Sequence, residues 1–212
     1  MKRPVFTAMV ALAVVLLGLL VIGAMTSGTS RIERTVVIQG SPERTWPFFA
    51  DLRGWPTWFR TEDNRVRMTF AVLTQGNASG LDAIRHSEDS TGAWFDERVT
   101  AYEPNKRLQL TGVRTPGRQN WVQEVTIEPD GQDKTRITWV IEYQVHGPIM
   151  KLLNKARGEE TLALLIEGGM KNIEPLVPTA EEWGSPDTLA APTAPVTGAA
   201  APTGNADASA NP

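Results

Sequence analysis

The 212 residues contain no cysteine. A disulfide, a thiol nucleophile and any cysteine-based metal site are therefore excluded. Histidine is almost as scarce. His86 and His146 are the only two, 60 positions apart and without a HExxH spacing, so no zinc centre is expected. Excess positive charge is missing as well. Residues 31–177 carry 19 lysines and arginines against 20 acids, and a chain that tracked phosphates would be far more basic. Nucleic acid is not expected as a partner. No glycine-rich loop follows a strand and opens a helix, which removes the usual nucleotide cradle. Gly76-Asn77-Ala78-Ser79-Gly80 places its serine fourth rather than third, so it reads as a hairpin turn and not a nucleophile elbow. With no metal and no cofactor expected, catalytic residues stay unassigned.

What is present begins with Val5 to Met25, 21 residues without a charge. At about 1.5 Å per residue such a helix crosses an apolar core of about 30 Å once. Lys2 and Arg3 precede it, whereas Arg31, Glu33 and Arg34 nearly cancel after it. The more basic end stays in the cytoplasm, which puts the rest of the chain on the extracytoplasmic face. A cleaved signal peptide is the alternative, although its apolar region is normally only about 7–15 residues. The predicted organisation is a stub at 1–4, a transmembrane helix at 5–25, a linker at 26–30, one domain at 31–177 and a tail at 178–212. Five linker residues reach about 17 Å at most, so the domain stays close to the lipid headgroups. The tail from Thr179 onward holds ten alanines, five threonines, five prolines and no base. It has too little apolar surface to offset chain entropy, and disorder is expected there.

Within the domain, an extended segment around Ile32, Val36, Val37 and Ile38 comes first. Ser41-Pro42-Glu43 then marks a helix start, with serine as N-cap and proline at the first helical position. Trp46, Phe49, Ala50 and Leu52 supply the apolar stripe, and Pro47 predicts a short or kinked helix. From Arg65 the period becomes two, with Val66, Met68, Phe70 and Val72 expected on one face. Further extended runs are predicted at 80–88, 92–102, 106–115, 120–129 and 134–146, separated by turn-rich segments. Ile137, Trp139, Ile141, Tyr143 and Val145 share a face of the last. After Gly147-Pro148 the period returns to 3.6. Ile149, Leu152, Leu153 and Ala156 are expected to form one stripe with Leu162, Leu165, Ile166, Met170 and Ile173. Short turns between consecutive strands imply an antiparallel sheet, and the long helix must bury its stripe against it, giving an α+β layer.

Several phrases in this order resemble the START-like superfamily (SRPBCC), the polyketide cyclase/dehydrase and lipid-transport proteins. SPERTWPFFADLRGWPTWF (Ser41–Phe59) is similar to the family's opening. YEPNKRLQL (Tyr102–Leu110) is similar to its Pro-Asn-Lys-Arg turn, and DKTRITWVIEY (Asp133–Tyr143) to its late strand. Gly168–Glu174 is similar to its closing helix. Pro47 and Gly169-Met170 depart from the pattern. The resemblance implies a helix-grip, a seven-stranded antiparallel sheet wrapped around a long C-terminal helix with an apolar cavity between them. It also implies a hydrophobic small-molecule partner of lipid or polyketide type, and only some such proteins are enzymes.

The candidate cavity residues are Trp139, Tyr143, Trp121, Phe70 and Met68, because large amphipathic aromatics combine apolar area with a polar tip. Gly168 and Gly169 join them, since a cavity or a close backbone approach would explain two helix-weakening glycines in a row, as fraying of the helix would too. Ordinary core packing explains the aromatic residues equally well. An enzyme would need an inward acid, base or hydroxyl, for which Asp96, Glu97 and Tyr143 are the candidates. The competing expectation pairs Asp96 and Glu97 with Arg98, Arg85 or Lys106 near the surface. Three functions stay open: a membrane-anchored binder of a hydrophobic ligand, a cyclase or dehydratase, and an interaction module with a filled core.

Overall fold

In the computed structural model, residues 3–76 and 80–183 are described. The predicted turn at Asn77-Ala78-Ser79 and most of the expected disordered tail lie outside them. Helix α1 (Arg3–Met25) is apolar from Phe6 to Met25 and long enough there to span a membrane. Strand β1 (Thr29–Gln39) follows, so the last two residues of the expected linker already belong to the sheet.

Helix α2 (Pro42–Ala50) stays short, with Pro47 inside it, and buries Trp46, Phe49 and Ala50. Ser41 occupies the N-cap position without a side-chain cap bond. Its hydroxyl instead bonds the Glu43 carboxylate, the main reason that this acid lies below its ordinary range. A 3₁₀ turn (Trp55–Thr57) comes next. Six strands succeed one another: β2 (Met68–Gln75), β3 (Ile84–Asp89), β4 (Trp94–Glu103), β5 (Arg107–Arg114), β6 (Gln119–Pro129) and β7 (Lys134–Gln144). The sheet order is β1-β7-β6-β5-β4-β3-β2, all antiparallel. It is a meander whose last strand returns to pair with the first.

Helix α3 (Pro148–Leu153), a π-helical turn (Asn154–Gly158) and helix α4 (Glu159–Ile173) complete the grip. Leu162, Leu165, Ile166, Met170 and Ile173 are buried, as their spacing predicts. The expected continuity with α3 fails: Ile149, Leu153 and Ala156 are exposed. A π turn holds one residue more than an α turn, about 100° of rotation, and so throws the stripe of α3 out of phase with that of α4.

One face of the sheet and α4 enclose the core. Val99, Leu108, Leu110, Val125, Ile137 and Ile141 alternate inward with outward polar residues. At one end the core is aromatic, with Phe49, Trp55, Trp58, Phe59 and Trp139 meeting at centroid distances of 5.2–6.3 Å. Such pairs each contribute about 0.5–1.5 kcal/mol beyond area burial.

Candidate ligand cavity

Between β2–β4, β6–β7 and the start of α4 lies a cavity of about 240 Å³. Met68, Trp121, Ile141, Leu162 and Leu165 give it an apolar wall. Its base is polar. Arg85 and Glu97 are direct partners across β3 and β4, and Arg85 Nη2 donates to Glu97 Oε2 at 2.5 Å. Glu97 Oε1 accepts from Trp121 Nε1 at 2.7 Å and from Gln123 Nε2. Trp139 Nε1 in turn donates to Gln123 Oε1 at 3.2 Å. The Arg85 guanidinium lies 3.8 Å from the centroid of the Trp55 ring, a cation–π contact that offsets part of the cost of burying it.

Alternation explains how this charge pair entered the core. Ala83 just before β3 and Arg85 and Ser87 on it point inward, and on β4 Phe95, Glu97 and Val99 share the inner side. Among the described residues, five buried side-chain polar atoms have no hydrogen-bond partner. Three of them, Arg85 Nε, Arg85 Nη1 and Ser87 Oγ, belong to cavity-lining residues two positions apart on one strand. Buried polar groups are normally satisfied, and leaving each unmatched costs about 1–3 kcal/mol. The cavity therefore joins an apolar body to a small patch of unspent hydrogen-bonding capacity.

The expected site residues divide. Met68 and Trp121 are on the cavity wall. Phe70 is not: it is 43 % exposed on the opposite face. A bulge between Met68 and Phe70 shifts the β2–β3 register, and one extra residue turns every following side chain over. Trp139 lies inside the aromatic cluster, stacked on Phe59 at 5.2 Å. Tyr143 is buried beyond the cavity wall, where its hydroxyl donates to Asn154 Oδ1 at 2.8 Å. Asn154 Nδ2 donates to Ser30 Oγ at 2.9 Å, and Ser30 donates to Glu159 at 2.6 Å, so this chain of bonds fastens the π turn to β1 and β7.

Gly168 answers to close backbone approach, and Gly169 to close packing of aromatic side chains. A Cβ at Gly168 would lie 2.7 Å from the Arg60 carbonyl oxygen and 2.8 Å from the Glu62 nitrogen. At Gly169 it would lie 2.7 Å from Phe59 Cδ2. Of the acid–base candidates, Asp96 faces the other side of the sheet, paired with His86 at 2.6 Å and Arg114 at 3.3 Å. Glu97 alone reaches the cavity, and its pairing with Arg85 is deep in the interior rather than near the surface. The sequence names Arg85 only as a near-surface ion-pair partner, and it does not mark Arg85 or Ser87 as cavity residues. Their shared parity with Ala83, opposite an inward Glu97, is the signal that marks them.

Comparisons with known proteins agree with this architecture. The chain is similar in fold to Zhui aromatase/cyclase from Streptomyces sp. R1128 (12% identity, TM-score 0.58, covering 72% of this chain and 98% of that one). It is also similar to ginseng major latex-like protein 151 from Panax ginseng (14% identity, TM-score 0.53, covering 71% and 99%). A START superfamily protein from Mycobacterium smegmatis aligns with 18% identity and a TM-score of 0.50, covering 68% and 98%. No curated protein matches the sequence. Residues 29–177 match the model of the family described as polyketide cyclase / dehydrase and lipid transport, and the chain belongs to that family.

Proposed function

We propose that this chain is a membrane-anchored domain that binds a hydrophobic ligand between its sheet and α4. The observation that carries the reading is the cavity: apolar walls closing on buried Arg85 Nε, Arg85 Nη1 and Ser87 Oγ, which have no hydrogen-bond partner. Such a site suits an amphiphile, with its apolar body against Met68, Trp121 and Leu162 and one oxygen at the polar base. Glu97 already neutralises Arg85, so a second carboxylate there would meet like charge. A carbonyl, ester or hydroxyl oxygen accepts from Arg85 without that penalty. At about 240 Å³ the cavity is below the roughly 300–1,000 Å³ of sites for drug-sized molecules. It takes a compact ligand, or one end of a longer one. Helix α1 holds the domain at the bilayer, with the domain on the extracytoplasmic side.

The test is native mass spectrometry of the full chain released from nanodiscs of one defined lipid, followed by organic extraction. One reproducible hydrophobic adduct per chain, lost on filling the cavity with Leu162→Trp, is the expected result. An unmodified mass, unchanged after incubation with fatty alcohols, methyl ketones and cell lipids, sinks the proposal and favours a filled-core interaction module.

A further inference from the structure

Helix α3 presents an apolar face to solvent. Ile149, Met150 and Leu153 are 60 %, 49 % and 58 % exposed, and their spacing puts them on one side of the helix. The helix packs against the end of α1. A Cβ at Gly23 would lie 2.7 Å from the Pro148 carbonyl carbon and 2.8 Å from Pro148 Cβ, so the two backbones touch. A Cβ at Gly28, just past α1, would meet the Val145 carbonyl oxygen at 2.5 Å. The apolar face of α3 is therefore fixed at the level where the apolar surface of α1 ends.

We propose that α3 lies in the headgroup boundary of the bilayer that α1 crosses, with Ile149, Met150 and Leu153 inserted. The proposal rests on the reading of α1 as a membrane-spanning helix. Continuity of the two apolar surfaces names the occupant, and charge agrees with it. Lys151, Lys155 and Arg157 are the charged residues from Gly147 to Gly158, Lys155 being ion-paired with Glu159 just beyond, and interfacial helices carry such cations beside their apolar face.

The sheet register adds a consequence for the cavity. Gln144 pairs with both Thr29 and Gln119, and Arg114 pairs with Asp96. The β3–β4 turn, the β5–β6 turn, the start of β1 and α3 are thus all at one end of the sheet. Thr91, Arg118, Arg157 and Gly158, which line the cavity, belong to that end. Its mouth opens beside the membrane, and a hydrophobic ligand enters from the bilayer without crossing water.

The absence of native cysteine makes the test direct. The full chain is reconstituted into vesicles of phosphatidylcholine and phosphatidylglycerol, with an environment-sensitive fluorophore on Met150→Cys or Leu153→Cys. Leu12→Cys in α1 and Glu128→Cys at the far end of β6 are the references. Spin-labelled lipids are then added as quenchers. We expect Met150→Cys and Leu153→Cys to lose emission as Leu12→Cys does, most strongly with the label near the headgroup, and Glu128→Cys to lose none. Quenching at Leu12→Cys alone overturns the interfacial placement and leaves α1 in the membrane. No quenching at any position overturns the placement together with the reading of α1. Blue-shifted but unquenched emission at α3 also overturns it, in favour of a protein partner.

Discussion

Arg85 and Glu97 are cross-strand partners joined at 2.5 Å, with side-chain exposures of only 1 % and 2 %. Two charges taken this far from water are tolerated because each compensates the other, and removing one partner from such a pair costs about 3–5 kcal/mol. Glu97→Gln keeps an acceptor for Trp121 and Gln123 but leaves the guanidinium without its counter-charge. It should lower the thermal midpoint followed by tryptophan fluorescence. Arg85→Met in the same background removes the orphaned charge and should restore most of the loss. A double variant no more stable than Glu97→Gln would show that the pair does not act as a unit.

Ser87→Ala should separate stability from binding. The Ser87 hydroxyl is buried and unpartnered, so its removal relieves desolvation and should stabilise the domain by about 1 kcal/mol. A ligand oxygen that bonds this hydroxyl loses one hydrogen bond, and affinity for a medium-chain methyl ketone should fall about fivefold to tenfold. Thermal unfolding and competition binding on the same preparation check both signs. Equal affinity in the two proteins would remove Ser87 from the ligand's polar anchor.

The sheet and the gripping helix were legible because their periodicities are clean. Ile137 to Val145 alternates and is buried on one side, and the stripe from Leu162 to Ile173 lies inward. The interior of the site was less legible. Phe70 faces outward because of a bulge, and a bulge leaves no mark on residue type. Trp139 and the cavity residue Trp121 are alike in composition and burial; only three dimensions distinguish a packed aromatic from a wall. Arg85 reads as a surface residue until its register with Glu97 is known, since arginine is almost never fully buried unless paired. The phase change at Asn154–Gly158 has no composition signal of its own, which is why Ile149 and Leu153 were expected inside.

Gly168→Ala tests the close approach of α4 to the loop at 60–62. Helix propensity alone would reward alanine by about 1 kcal/mol. Here the new methyl would meet backbone, the Arg60 oxygen at 2.7 Å and the Glu62 nitrogen at 2.8 Å, and neither is a side chain that can swing away. Overpacking typically costs about 1–3 kcal/mol, so net destabilisation is expected. Gly18→Ala in α1, where a Cβ meets nothing within 4 Å, is the control without overpacking. Stabilisation of Gly168→Ala would mean that the loop is not held against the helix.

The same loop should respond to acid. Asp63 is held at about 2, below its ordinary 3.8, by hydrogen bonds from the Thr61 hydroxyl first and then from the Arg65 backbone and guanidinium. Below the loop, Lys171 is raised to about 12 by Glu167 and Glu62, and Glu167 is lowered chiefly by Lys171. A carboxylate with a depressed folded value contributes all its stabilisation above its unfolded value and loses it as pH falls through the folded one. The loop at 61–66 should therefore be fully fastened above pH 3.8 and loosen towards pH 2, whereas the lysine's contribution is complete below pH 10.5 and is lost as pH rises towards about 12. Val66 from this loop lines the cavity, so loosening should expose the site before the sheet unfolds. Hydrogen exchange across residues 60–68 between pH 5 and pH 2 would follow the change. Relative to the intrinsic exchange rate at each pH, Asp63→Asn should be weakly protected there throughout, because it has no charge to lose. An acid response in Asp63→Asn equal to that of the parent chain would assign the transition to other carboxylates.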